Sequence, residues 1–292
     1  MHLARDHVRQ DVAARVRSRE WYRVGRGTYV PTPLSTDVRA VALARIVGVH
    51  HGLRGPHAFS HASAAMLWGL RLWSVPDQVH VYQSGRPGTG RDGNVRRHVT
   101  QIDATAITTL SGLPVTTLAR TAVDCAREMG PLPGLVVMDA AIRAGADRDD
   151  LLALLDVDPA GRGMARAREI VCLADGGAES PQESALRFVM LRAGLPQPET
   201  QLRVDSRLGT FWGDLGWGRW RLLLEYDGRS KYTVAEALIN EKRRHDAIVE
   251  AGWRILRVTK EDLRTPTALV ARVTRLLPPD IQLNRRPHLS TR

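Results

Sequence analysis

The sequence predicts an α/β fold in successive parts, and three observations carry that prediction. A length of 292 residues, divided by about 150, sets two domains as the starting expectation. Hydrophobic residues at 43% and charged residues at 25% sit close to the globular average, which argues against a disordered or fibrous chain. Helix-period and strand-period segments then alternate, and the C-terminal part reads α-β-β-β-α-β-α. No run approaches the roughly 18 apolar residues of a membrane span. No apolar stretch follows Met1–Asp6 as a secretory signal would, so a cytoplasmic protein is the default. Cys125 and Cys172 stand far apart, outside any metal or disulfide spacing.

Residues 1–36 read as a helix closed by a β-ribbon. Val8, Val12 and Val16 recur at i, i+4 and i+8, one apolar helix face. Trp21 to Val30 is rich in strand formers, with Gly25 and Gly27 placed for a tight turn. Seven arginines, Arg5, Arg9, Arg15, Arg17, Arg19, Arg23 and Arg26, stand against three acids. A helix with an Arg/Gly hairpin offers DNA a groove-reading helix and a backbone-contacting wing, so this unit is winged-helix-like. The same residues also suit an ordinary solvated basic helix and hairpin. A complete helix-turn-helix would need another helix upstream.

Residues 37–175 read as a mixed α+β middle region. Val38 to Val49 is an apolar helix, and Ser60 to Gly69 is a second, with Ser60 as N-cap and Gly69 as stop. Gln78–Tyr82 and Asn94–Val99 alternate as strands around a Gly/Pro-rich loop, 84–93. Thr117 to Met129 is helical and Gly130 ends it; short helices fill 133–175, with Asp147 and Asp150 spaced as a capping pair. His57, His61, His80 and His98 show no metal-ligand spacing and read as surface or packing residues.

Residues 176–279 carry the chemistry, and 280–292 form a basic tail. Ser180-Pro181-Gln182-Glu183 starts a helix, with Ser as N-cap, Pro at the first helical position and Glu two further on. Strands at 200–205, 210–217 and 219–227 follow, then a helix from Val234 to Ala251, a strand at 253–258 and a helix at 266–277. Such a unit is large enough for its own core.

Charge narrows the function. Basic residues outnumber acidic ones 42 to 31, a net of +11, which is the footprint of a polyanion binder. Arginine-rich coding explains part of it, since only Lys231, Lys242 and Lys260 are lysines. Asp214 lies within a strand, and Glu225 and Asp227 end the next one after Leu222-Leu223-Leu224. Strand alternation puts Glu225 and Asp227 on one face, and a hairpin around Gly218 brings Asp214 towards it. Carboxylates from adjacent strands suit Mg²⁺, or Mn²⁺, with positions left for water and phosphate. Such an ion serves phosphodiester hydrolysis. Lys231, a few residues on, could polarise the attacking water. The same three acids also suit strand-end charges paired with nearby arginines.

At these residues the C-terminal part resembles the PD-(D/E)XK nuclease superfamily, in the branch akin to very-short-patch repair endonucleases. The resemblance is carried by Glu183, by Gly213-Asp214-Leu215, by Glu225-Tyr226-Asp227-Gly228, by Glu241-Lys242-Arg243-Arg244-His245-Asp246 and by Gly252–Val258. It implies a restriction-endonuclease-like core with Asp214 and Glu225 as metal ligands and Glu183 assisting. The lysine of the usual Glu-x-Lys element is replaced by Asp227, so Lys231 or Lys242 would have to substitute. The N-terminal and middle parts are similar to AbiEi-family antitoxin-like proteins, through Arg15-Val16-Arg17, Trp21–Tyr29, Ser60–Ala65 and Gly112–Thr121. That likeness implies DNA binding and a cognate toxin. Two functions follow as expectations: a Mg²⁺-dependent DNA endonuclease, or a non-catalytic repressor whose nuclease-like part is inactive. An adaptor whose basic charge reflects only coding bias is a third.

Overall fold

The computed structural model describes residues 1–85, 93–228 and 235–290. The chain is α/β, and among the described residues its strands form three separate sheets. In the first part, β1 (His2–Leu3) pairs with β3 (Thr28–Pro31), which pairs in turn with β2 (Trp21–Gly25), and α1 (Arg9–Arg17) connects β1 to β2. The β2–β3 turn contains Gly27 at φ +66°, a left-handed conformation that glycine adopts without steric cost. The expected valine stripe on α1 is not a packed face. Val12 alone is buried, while Val8 is 65% and Val16 38% exposed. The ribbon is held by α2 (Val38–Gly52) instead, where Val41 and Ala44 pack on Val24 and Val30. A Cβ at Gly48 would lie 2.1 Å from Thr28 Oγ1, so a glycine lets α2 sit this close to the hairpin.

The middle sheet has the order β6-β5-β4-β8-β7. It is built from β4 (Ala58–Phe59), β5 (Val79–Gln83), β6 (Val95–Val99), β7 (Ile107–Leu110) and β8 (Leu113–Thr116). The two strands flanking the Gly/Pro loop run parallel, with Val79 opposite Val95. Helix α3 (His61–Leu67) follows β4, and Phe59, Met66, Val79, Val81 and Val115 make the core beneath it. Ser60 precedes α3 as expected, but its hydroxyl meets His61 Nδ1 at 3.0 Å and caps no backbone N–H.

A helical layer follows: α4 (Leu118–Glu128), α5 (Pro131–Arg143), α6 (Arg148–Asp156) and α7 (Met164–Leu173). Asp147 caps α6 through the N–H groups of Asp149 and Asp150. Next comes α8 (Pro181–Arg192), which serves two cores at once. Phe188 and Leu191 enter the helical layer, whereas Leu186 and Met190 pack beneath the third sheet. Between them the fully buried Arg187 pairs with Asp139 of α5 and donates to Leu173 O at 2.6 Å. Asp139 also accepts from Ser184 Oγ at 2.8 Å and from the Asp175 N–H at 2.9 Å. These bonds offset most of the cost of burying the pair, though Arg187 Nε is buried without a hydrogen-bond partner.

The third sheet has the order β12-β11-β10-β9, from β9 (Glu199–Ser206), β10 (Gly209–Trp217), β11 (Leu222–Tyr226) and β12 (Arg254–Val258). The first three strands form an antiparallel meander. Helix α9 (Ala235–Glu250) crosses over to β12, which lies parallel to β11. Gly216 lets β10 approach β11, because a Cβ there would meet the Leu222 carbonyl oxygen at 2.1 Å. Leu222 and Leu224 face α8, and Leu223 faces Ile248 of α9. The short α10 (Lys260–Arg264) and α11 (Pro266–Thr274) close the α8 side through Leu269 and Val273. The basic C-terminal segment then runs back over the helical layer. Asn284 N–H bonds Gly194 O at 2.7 Å, and Leu289 is buried in the α4–α7 core.

Candidate active site

The site is made where β10 and β11 part. Along β10, Phe211 belongs to the core on the α9 side, while Leu215 and Trp217, at the same strand parity, belong to the core on the α8 side. The ladder therefore swivels between them, at Asp214. On the facing strand, Gln201 takes φ +48° at this step. The regular β10–β11 register ends at Leu215↔Leu224. Two residues on, the Tyr226 N–H bonds the Asp214 carboxylate Oδ2 at 2.7 Å in place of a backbone carbonyl. A side chain has taken over a ladder bond, which fixes the carboxylate against β11.

Burial pushes the Asp214 carboxyl up to about 6, and the charges of Glu183 and Glu225 act in the same direction. The Tyr226 N–H and the Arg244 guanidinium oppose them. One acid on α8 and one on β11 thus act on Asp214 of β10, though among the described residues the three do not form a group with donor atoms within 4.8 Å of one another. Glu183 also secures the start of α8. Its carboxylate accepts from Ser180 Oγ at 2.8 Å and from the Glu179 N–H at 2.7 Å.

Among the described residues, Asp214, Glu225 and Asp227 do not form a three-ligand group with donor atoms within 4.8 Å of one another. Asp227 has left the strand; its N–H bonds Val258 O at 2.8 Å. Its charge acts with that of Glu261 on the Tyr226 phenol, which burial already raises. Lys231 lies outside the described residues. Lys242 is exposed on α9.

The cation that does reach the acids is Arg244, which spacing alone did not single out. It donates to Glu225 Oε1 at 2.7 Å and to Trp212 O at 3.2 Å, and its guanidinium stands 5.6 Å from the Phe211 ring. Glu241 lies 3.6 Å away on the same helix and also pairs with Arg257 of β12. Helical periodicity explains the choice. Ala247 and Ile248 are the buried positions of α9, and Arg244 sits one turn before them, whereas Lys242 does not.

At the other end of the chain, Arg9, Arg15, Arg17, Arg19, Arg23 and Arg26 are all exposed. Arg15 pairs with Glu20 and lies 5.1 Å from the Trp21 ring; the Arg23 side chain donates to Gly25 O at 3.2 Å. Beside this ribbon, a cleft of about 830 Å³ runs between the hairpin, α2 and the β5–β6 sheet. Arg5, Arg26, Arg45, Arg54, Arg97 and His51 line it, and among the described residues no carboxylate does.

Fold and site define an α/β protein with an exposed arginine-rich ribbon and a fixed, half-buried carboxylate at a strand divergence. No family model matches the chain, and no solved structure matches it. It is 30% identical over 273 residues to the Uncharacterized protein Rv2248 of Mycobacterium tuberculosis strain H37Rv, across 92% of this chain and 97% of that one. The same figures hold for the Uncharacterized protein MT2308 of strain CDC 1551. The chain belongs to the family of these mycobacterial proteins.

Proposed function

We propose that the chain is a cytoplasmic DNA-binding protein whose C-terminal part hydrolyses phosphodiester bonds with Mg²⁺ or Mn²⁺. One observation carries this reading: the Asp214 carboxylate is fixed by the Tyr226 N–H where β10 and β11 part, and the charges of Glu183 and Glu225 both act on it there. The donor set fits a hard divalent cation, which binds through one or two carboxylates and keeps its remaining positions for water and phosphate. When bound, that ion supplies an activated water and offsets charge on the leaving oxygen. Asp214, held by the Tyr226 N–H, and Glu225 would hold it; Glu183 adds negative charge behind them. Arg244, anchored by Glu225 and Trp212 O, is placed to meet a phosphate as a fixed donor. The exposed N-terminal arginines would bind the duplex backbone.

A second reading has its own observation. Arg244 already neutralises Glu225, and Asp227 stands where the motif's lysine would be. A chain so arranged also suits a non-catalytic AbiEi-like antitoxin that represses transcription and binds a cognate toxin. Nicking of supercoiled plasmid by the purified full chain, with Mg²⁺, Mn²⁺ or chelator, separates the two. The nuclease reading expects metal-dependent nicking, lost in Asp214→Asn and Glu225→Gln while duplex binding persists. Duplex binding without nicking in either metal leaves the repressor.

A further inference from the structure

The middle sheet carries a cluster of its own, well apart in sequence from the acids. His61 at the start of α3, His80 on β5 and His98 on β6 place ligand nitrogens within 4.8 Å of one another. His80 Nδ1 lies 3.1 Å from His98 Nε2, and the His61 and His98 rings stack with centroids 4.0 Å apart. Glu128, the last residue of α4, pairs with two of the rings. Its Oε2 lies 3.2 Å from His61 Nε2 and 3.6 Å from His98 Nδ1.

We propose that His61, His80 and His98 form a binding site for a transition-metal dication of the zinc class, with Glu128 holding the rings from outside the ligand set. A tetrahedral ion with bonds of about 2.0–2.1 Å holds its ligand atoms roughly 3.4 Å apart, and the fourth position is left for water. The His80–His98 contact lies near that spacing, and each of the three rings places a nitrogen within 4.8 Å of the other two. The surroundings also match what metal-bound histidines require. Ser60 Oγ stands 3.0 Å from His61 Nδ1, leaving Nε2 to face the site. Arg96 engages Glu128 Oε1 at 2.5 Å, leaving Oε2 towards the rings. Outer-shell partners of this kind orient ligands. His61 holds φ +49°, a strained conformation for a non-glycine residue and one that gathers at functional sites.

Three imidazole donors select zinc and disfavour magnesium, which prefers oxygen donors. Sequence spacing hides the site, because its ligands come from one helix and two strands.

The full chain, stripped with chelator and dialysed against micromolar Zn²⁺, is analysed for retained metal; Co²⁺ is then substituted and its visible spectrum recorded. The proposal expects one Zn²⁺ per chain, undisturbed by millimolar Mg²⁺, and an intense tetrahedral Co²⁺ spectrum. His80→Gln and His98→Gln should abolish retention, and Ser60→Ala should weaken it about 10–100-fold. Failure of the wild-type chain to retain Zn²⁺, or equal retention by both histidine variants, overturns it. If either variant unfolds, the wild-type Co²⁺ spectrum decides alone: an octahedral spectrum refutes the tetrahedral site.

Discussion

Asp214 concentrates the argument at the scale of one residue. Its carboxyl titrates near 6 in the folded chain against an ordinary 3.8, so folding disfavours the charged form. Below about pH 4 both states are protonated and no penalty exists. Between there and pH 6 the unfolded chain loses its proton first, so stability falls as pH rises; above pH 6 the penalty is complete. Asp214→Asn keeps an acceptor for the Tyr226 N–H and removes the charge. It should therefore stabilise the metal-free chain by about 1–3 kcal/mol at pH 8 and by almost nothing at pH 4, in urea unfolding at both values. A constant difference between the two would place the cause elsewhere. Strand parity pointed to Asp214 and Glu225, whereas Glu183 was legible as a helix start and entered the site only through the family resemblance. Parity did not show that Asp227 falls beyond the end of the strand. Nor did the sequence disclose Arg244, because choosing among the cations of Glu241–Asp246 requires knowing which face of α9 meets the sheet.

Among the elements, α8 links the site to the rest of the molecule. Its N-terminal turn carries Glu183, its middle carries Arg187 into the helical layer, and Leu186 and Met190 support the sheet. Arg187→Met leaves the Asp139 carboxylate buried without its cation. The change should cost about 3–5 kcal/mol, read as a lower urea midpoint. A double change with Asp139→Leu should recover much of that loss, since apolar replacement of both partners removes the stranded charge. Leu224→Ala, fully buried beneath the same sheet, should cost about 2–5 kcal/mol through transfer and cavity terms. The order of elements in this half was legible because caps such as Ser180 and stops such as Gly194 punctuate it. The middle sheet was less so. Strands as short as Ala58–Phe59 are too brief to show alternation, and parallel pairing of β5 with β6 leaves no hairpin signature. On α1, the i, i+4 valine pattern predicted a buried stripe, but α2 packs on the ribbon and leaves Val8 and Val16 to solvent.

Across the whole molecule, the net charge of +11 is unevenly used. Many arginines are spent on internal contacts: Arg187 with Asp139, Arg286 on the carbonyls of Leu191 and Leu195, Arg244 with Glu225. The exposed set on the N-terminal ribbon is free of the core, so it can be altered without unfolding the chain. Deleting residues 1–36 would instead uncover Val41 and Ala44 of α2. The combined change Arg9→Ala, Arg17→Ala, Arg23→Ala should weaken duplex binding and lower the log–log salt slope by roughly 2–3, about 0.9 per lost phosphate contact. An unchanged slope would move DNA contact to the basic cleft or another face. The account turns finally on whether Glu183, Asp214 and Glu225 hold a cation. Calorimetric titration of Mg²⁺ into the full chain at pH 8, wild type beside Asp214→Asn, measures this directly. The account predicts saturable binding by the wild type that is lost in the variant. Equal binding by both, or none by the wild type, would contradict it.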